Sequence, residues 1–398
     1  MPAEPAQRLP NDRLIDHIRA AARGMELSGI VEAMKYGFGR EGLIPLWAGE
    51  GDLPTPDFIC EAATRSLKAG ETFYTWQRGI PELRAALAQY HAVHYGIAPD
   101  PERFYVTASG MQAIVMAFAL TLGEGDEVII LTPSWPNSAA ATDAAAAKPV
   151  FVPMKLGERG FTLDLDRVAD AITPRTRAIF INTPGNPTGW TATPDELRAI
   201  LAMARRHGLW IVADEVYGRF YYGKAPRAPS FHDVMERGDR ILFVNTFSKN
   251  WAMTGWRIGW IEADPSLGQV IENLIQASTS GVAVFMQRAA VVALERGEGF
   301  VAHQVARARR GRDIVAKLEQ TGRVRLVRPE GAFYQLLAVE GEPDSRALVF
   351  RLIDEANIGL APGTAFGPGA ENYMRLCFAR SPESLSHAVE RLTAWLAR

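Results

Sequence analysis

RAIFINTPGNPTGWTATPDELRAILAMARRHGLWIVADEVY, residues 177–217, reads as a strand, a turn-rich loop, a helix and a second strand. RAIFIN (177–182) and LWIVAD (209–214) are short, nearly continuous apolar runs. That pattern suits strands buried on both faces of a largely parallel sheet. Between them, Thr193 and Glu196 make a capping box and Pro194 takes the first helical position. Leu197, Ile200, Leu201 and Ala204 then share one face, and Gly208 stops the helix.

The alternation continues outward. RFYVTA (103–108) and DEVIIL (126–131) precede this unit; RILFVN (240–245) and WRIGWI (256–261) follow it. Upstream, Pro81 opens a helix with Leu83, Leu87 and Tyr90 on one stripe and Gly96 at its end. The Ala-rich run 139–147 reads as a close-packed helix. Strands and helices alternating from about 100 to 262 predict an α/β sheet with helices on both faces. From about 295 the pattern changes to a long Arg-rich helix (303–320), strands at 324–327 and 332–339, a helix at 345–356, a strand at 373–378 and a helix at 382–396. The expected division is a loose arm (1–12), a large domain (48–294) and a smaller α+β domain built from 13–47 and 295–398.

A chain of 398 residues is too long for one ordinary core. With 47% hydrophobic and 22% charged residues and a net charge of −2, nothing favours a nucleic-acid or membrane partner. The arm carries proline and charge where a signal peptide needs an apolar run, and no helix-turn-helix pattern. The longest mostly apolar stretch, Ala113 to Leu122, is too short to span a bilayer. Cys60 and Cys377 form no close-spaced pair, which argues against a disulfide framework or zinc site and for a cytoplasmic location. His91 and His94 have no clustered ligands in the sequence and read as surface residues. No Gly-rich dinucleotide motif or P-loop is present.

Chemistry concentrates at strand ends, where open α/β sheets bind ligands. NTPGNPTG (182–189), ADEVY (213–217) and TFSKNWAMTGWRIG (246–259) follow consecutive strands, so Asn186, Asp214, Tyr217 and Lys249 can converge. Lys249 is a nucleophile if its amine is neutral; a lone lysine at a strand end is otherwise an exposed charge. Asp214 ends a buried strand and wants a cationic partner, whether a ligand or an arginine. ASGMQA (108–113) opens a helix whose N-terminal amides suit a phosphate, a weak signal alone. Arg257 and Arg375 stand in apolar, strand-like contexts, where each needs an anion: a ligand or an internal carboxylate.

NPTG, DEVY, SKNWAMTGWRIG and the late RLCFA, in this order across roughly 40–396, resemble the class I, fold-type I pyridoxal phosphate-dependent aminotransferases of the aspartate/aromatic kind. The resemblance implies a large domain with a mostly parallel, mixed seven-stranded sheet between helices, and a smaller α+β domain. It implies that Lys249 carries pyridoxal 5'-phosphate as a Schiff base, that Asp214 pairs with the ring nitrogen, and that Tyr217 and Asn186 bond the phenolic oxygen. Ser109, Gly110 and Met111 would hold the phosphate with Thr246, Ser248 and Arg257, and Trp135 would stack on the ring. Arg375 would grip the substrate α-carboxylate beside Gly49. Tyr74 would reach the phosphate of a neighbouring subunit, giving a homodimer with shared sites. The implied activity is ping-pong transamination between an L-amino acid and a 2-oxo acid such as 2-oxoglutarate or pyruvate. A β-lyase or decarboxylase on the same scaffold would keep the same motifs. Met111 stands where some aspartate-preferring relatives carry lysine, and STSGVAV (278–284) lacks the arginine that others supply from the partner. A neutral donor is therefore expected, with Trp76 as a possible pocket wall; Arg78 is the one feature favouring an acidic donor.

Overall fold

Seven strands form the central sheet of the computed structural model, which describes residues 13–25, 27–158 and 160–398. They are β1 (Phe104–Thr107), β2 (Glu127–Thr132), β3 (Lys148–Pro153), β4 (Thr176–Asn182), β5 (Trp210–Asp214), β6 (Ile241–Thr246) and β7 (Gly259–Glu262). Their order across the sheet is β1-β7-β6-β5-β4-β2-β3. Strand β7 runs antiparallel to both neighbours; the pairs from β6 to β3 are parallel. The expected arm, 1–12, lies outside the described residues.

Two differences from the sequence reading have physical causes. WRIGWI does not begin a strand at 256: Thr254–Trp256 is a 3-10 turn, Arg257 adopts left-handed backbone (φ 53°), and β7 starts only at Gly259. Strand β3 was not expected, because Pro149 and Pro153 argue against a ladder. It sits at the sheet edge, where a missing N–H is tolerated.

The helices bearing on the site are α1 (Gly29–Gly37), α2 (Pro81–Tyr95), α3 (Gly110–Thr121), α4 (Pro194–His207), α5 (Phe247–Asn250), α6 (Glu298–Val315), α7 (Ser345–Ala356) and α8 (Pro382–Leu396). In α4 the capping box forms as expected: Glu196 N–H donates to Thr193 Oγ1 (3.2 Å), and Thr193 N–H donates to the Glu196 carboxylate (2.8 Å). Gly208 ends the helix at φ 66°, a conformation that favours glycine. Side chains alternate across the sheet. Ile129, Ile179 and Ile211 pack on α4, while Val128, Phe180, Val212 and Val244 pack on Ala113, Ile114 and Ala117 of α3. Each such fully buried aliphatic side chain contributes about 2 kcal/mol.

A second, antiparallel sheet has the order β8-β9-β11-β10, from β8 (Val324–Val327), β9 (Tyr334–Val339), β10 (Ala361–Pro362) and β11 (Met374–Cys377). Its strands share a core with Ala308 of α6, Leu348 and Leu352 of α7, and Leu385 and Leu392 of α8. The expected long helix starts earlier, at Glu298, and passes into a 3-10 turn, Ala316–Thr321. Among the described residues, no helix is long and apolar enough to cross a membrane.

The surface reading of the two α2 histidines is corrected. His91 is buried, its Nδ1 3.0 Å from Glu262 and its ring stacked on Tyr95. His94 is half-buried, 3.1 Å from Arg219. The buried face of α2 is wider than its aliphatic stripe because β7 and the loop after β5 supply polar partners that sequence spacing does not reveal.

Candidate active site

Strand register assembles the site. Asn182 at the end of β4 pairs with Asp214 at the end of β5, and Asp214 pairs with Val244 of β6. Gly259 bridges Thr246 of β6 and Thr107 of β1. At this edge lies a cavity of about 320 Å³, lined by Gly49, Gly110, Met111, Trp135, Asn186, Asp214, Tyr217, Thr246, Ser248, Lys249, Arg257 and Arg375. Twelve of the residues expected from the sequence thus converge. Ser109 stands beside them, where its hydroxyl caps α3 by accepting from Gln112 N–H (3.0 Å). Tyr74 does not join them; it is 94% exposed.

Lys249 lies on the short helix α5, and its Nζ donates to the Gly49 carbonyl (2.7 Å). Burial lowers its pKa to about 8, so the neutral amine is far more accessible near physiological pH than on an ordinary lysine, although the cation still predominates. Asp214 is buried opposite. Among the described residues its carboxylate has one close donor, the Val216 N–H, at a long 3.4 Å. Burial raises its pKa to about 7, with Glu215 adding to the rise and Lys249 opposing it. A buried carboxylate so poorly solvated is suited to a cationic ligand.

Arg375, on β11, is 2% exposed. It donates through Nη1 to Asn186 Oδ1 (2.9 Å) and through Nη2 to the Trp47 carbonyl, while its buried Nε has no partner among the described residues. It lies 4.6 Å over the Tyr334 ring. No Asp or Glu among the described residues pairs with it, so the internal-carboxylate alternative is not what the fold uses. Arg257 differs from the reading of a buried strand arginine. It is exposed, and it reaches the cavity rim from its left-handed turn, donating to Thr254 O (2.7 Å).

The N-terminus of α3 closes one end. Ser248 N–H donates to Thr246 Oγ1 (3.2 Å), and the two hydroxyls stand 2.9 Å apart. A Cβ on Gly110 would sit 3.2 Å from Thr246 Cβ, so a side chain there would crowd this pocket. Free helix-end amides, two hydroxyls and Arg257 make an anion site.

Sequence reasoning missed Tyr334, whose hydroxyl is 2.7 Å from that of Tyr217. Burial holds both phenols un-ionised, well above the usual tyrosine range. Also missed were Asn182, which accepts from Asn186 N–H (2.7 Å), and Ile30 and Met34 of α1, which form part of the cavity wall. Tyr334 was hidden in a strand of ordinary pattern, and α1 is far from the motifs in sequence. Arg78, the possible acidic-substrate clamp, is held by its own chain: it bonds Glu272 (2.8 Å) and Glu102 (3.0 Å).

A family model described as aminotransferase class I and II matches residues 41–392. The chain belongs to this family. It is 37% identical to the probable aspartate/prephenate aminotransferase of Aquifex aeolicus, over 88% of this chain and 90% of the other. It is 36% identical to aromatic-amino-acid aminotransferase 2 of Thermococcus litoralis, over 89% of this chain and 92% of the other. Among solved structures, a single mutant of the Thermus thermophilus aspartate aminotransferase superposes with a TM-score of 0.88 at 35% identity, covering 95% of this chain and 99% of that one. The mixed seven-stranded sheet and the smaller antiparallel sheet are those of fold-type I aminotransferases. The protein is an aminotransferase, and the cofactor of this family is pyridoxal phosphate.

Proposed function

We propose that the enzyme transfers the amino group of a neutral, aromatic or aliphatic L-amino acid to 2-oxoglutarate or pyruvate by ping-pong transamination. The observation carrying this reading is the cavity wall of Ile30, Met34, Met111, Ile114, Trp135 and Val216; the cations beside it, Lys249, Arg257 and Arg375, are taken up by the roles proposed below.

Bound pyridoxal phosphate supplies a reactive aldehyde and an electron-accepting ring. The residues present fit it: a buried amine of lowered pKa, a carboxylate lacking a cation, and an anion site at a helix end. Lys249 would hold the aldehyde carbon, and its freed amine would carry the proton from the substrate Cα to that carbon. Asp214 would keep a proton on the ring nitrogen. Asn186 and Tyr217 would bond the phenolic oxygen, with Tyr334 steadying Tyr217. Ser109, Gly110, Met111, Thr246, Ser248 and Arg257 would hold the phosphate, and Trp135 would offer its flat face to the ring. Arg375 offers its unpartnered Nε–H to the substrate α-carboxylate. Gly49, whose carbonyl already touches Lys249, borders the substrate.

The rival donor is aspartate, named in several relatives. A side-chain carboxylate facing this wall would lack a cation, which costs several kcal/mol. The test is kcat/KM for phenylalanine or leucine against aspartate. We expect the neutral donor to win by at least about tenfold, roughly 1.4 kcal/mol. Met111→Lys should move the ratio toward aspartate. Wild-type preference for aspartate, lost in Arg78→Ala, would overturn the reading.

The reading includes a homodimer with shared sites. Phe73, Tyr74 and Trp76 are 83%, 94% and 67% exposed, a contiguous apolar segment of the kind that marks an interface. It also includes a cytoplasmic location, which two unpaired cysteines suit.

A further inference from the structure

A chain of buried polar groups runs from the residue after Asp214 to the far end of β7. Glu215 accepts from Phe231 N–H (3.1 Å), and its Oε2 lies 2.7 Å from Ser230 Oγ. Ser230 Oγ is 2.8 Å from His232 Nδ1 and accepts from His232 N–H (3.1 Å). His232 Nε2 is 2.8 Å from Glu262 Oε2, and Arg103 donates twice to the other oxygen of Glu262, at 3.0 and 2.9 Å. The imidazole of His232 stacks on Phe243 with centroids 3.9 Å apart. The charged and titratable groups facing this chain are Glu262, Arg103, His91, Asp233, Arg227, Tyr95 and Asp214.

Proton counting restricts the chain. Ser230 has one hydroxyl proton and two close partners, Glu215 and His232 Nδ1. If Ser230 donates to Glu215, then His232 Nδ1 must donate to Ser230, and with Nε2–H on Glu262 the ring is a cation. If Ser230 donates to His232 instead, Glu215 must be protonated. Against the cost of its burial, His232 and His91 hold Glu262 well below the usual carboxylate range, and Arg103 donates to its other oxygen, so Glu262 is not the proton's home. One proton is therefore shared by Glu215 and His232. Glu262, buried and anionic against Nε2, draws it to the histidine. His91, His232 and Glu262 also bring ligand atoms within 4.8 Å of one another, but Arg103 already occupies the carboxylate and repels a metal cation.

We propose that Glu215, Ser230, His232 and Glu262 form a proton-holding chain that keeps His232 cationic and Glu215 anionic directly behind Asp214. Glu215 is then a positioning residue: its fixed charge raises the proton affinity of Asp214 and of the ring-nitrogen proton Asp214 holds. This consequence rests on the role proposed for Asp214; the protonation of His232 does not.

The experiment uses the holoenzyme. Nitrogen-15 histidine spectra should show both His232 ring nitrogens still protonated at pH 7, above the ordinary histidine midpoint. Glu215→Gln should lower the midpoint of the cofactor's absorbance titration by about half a unit, roughly threefold in proton affinity. Glu262→Gln touches nothing in the cavity, yet should lower the midpoint too, because the proton then moves onto Glu215. The double variant should shift no further than Glu215→Gln alone. A merely structural chain would lower Tm and cofactor retention without this directional, non-additive shift. A neutral His232 at pH 7 overturns the proposal. If the histidine is cationic and the midpoint is unmoved, it is the link to Asp214 that fails.

Discussion

Lys249 and Asp214 sit in one cavity without full solvation, and each therefore opposes folding of the cofactor-free protein over a definite pH range. Lys249, at about 8 in the fold, binds protons less readily than in the unfolded chain. Its penalty is full below pH 8 and disappears between about 8 and 10.5. Asp214, at about 7, binds protons more readily than when unfolded. Its penalty is absent below about pH 4, grows from 4 to 7 and is full above. Apo Lys249→Met should therefore melt above apo wild type at pH 7, the gap closing toward pH 10. Apo Asp214→Asn should melt higher at pH 8, the gap closing toward pH 4. Differential scanning calorimetry checks both signs. With cofactor the order of merit reverses: Lys249→Ala should bind pyridoxal phosphate through its phosphate and ring contacts yet lose transamination. Substantial residual turnover in the purified variant would show that another group moves the Cα proton. These residues were legible because each stands in a short motif at a strand end. Tyr334 was not, because its sequence neighbours GAF and QLL carry only strand propensity and its partner Tyr217 is far away in the chain.

At the scale of elements, the site depends on how closely β7 passes the start of α3. A Cβ on Gly259 would lie 2.7 Å from both Asn245 O and Gly110 N, backbone atoms that cannot step aside. Gly259→Ala should therefore push α3 away from Thr246, lowering stability by roughly 2 kcal/mol and weakening cofactor retention. Gly110→Ala meets a side-chain carbon at 3.2 Å and should cost less. Urea melts and dialysis against buffer without cofactor measure the two effects; equal losses would show that the close approach does not govern the anion site. Apolar runs gave six strands of the large sheet, since burial on both faces leaves a continuous hydrophobic signal. The edge strand β3 escaped because its prolines and half-exposed side chains imitate a loop. The true start of β7 escaped because Trp256 and Ile258 flank Arg257 with strand-like residues, whereas the turn is set by tertiary bonds such as Trp256 Nε1 to Thr55 Oγ1 (2.9 Å).

At the scale of the molecule, the segment Phe73–Trp76 leaves three aromatic side chains exposed, and Tyr74 does not line the Lys249 cavity. The groove that does include Tyr74 is bounded by Thr72, Thr279 and Gly281, outside the Lys249 cavity. A tyrosine here serves catalysis only if it enters the site of another copy, which gives a prediction with a definite stoichiometry. Tyr74→Phe homodimers should lose cofactor more readily than wild type, and Lys249→Ala homodimers should be inactive. In a mixed dimer, one site combines an intact Lys249 with the intact Tyr74 of the other chain, and the second site carries both changes. Unfolding and refolding the two variants together should therefore restore one working site per mixed dimer, with cofactor retention at that site equal to wild type. Sedimentation fixes the assembly and a titration of active sites counts them. A mixture whose retention and activity are only the average of its parents, or an active species that sediments as a monomer, would mean that Tyr74 and its aromatic neighbours serve something other than a shared site.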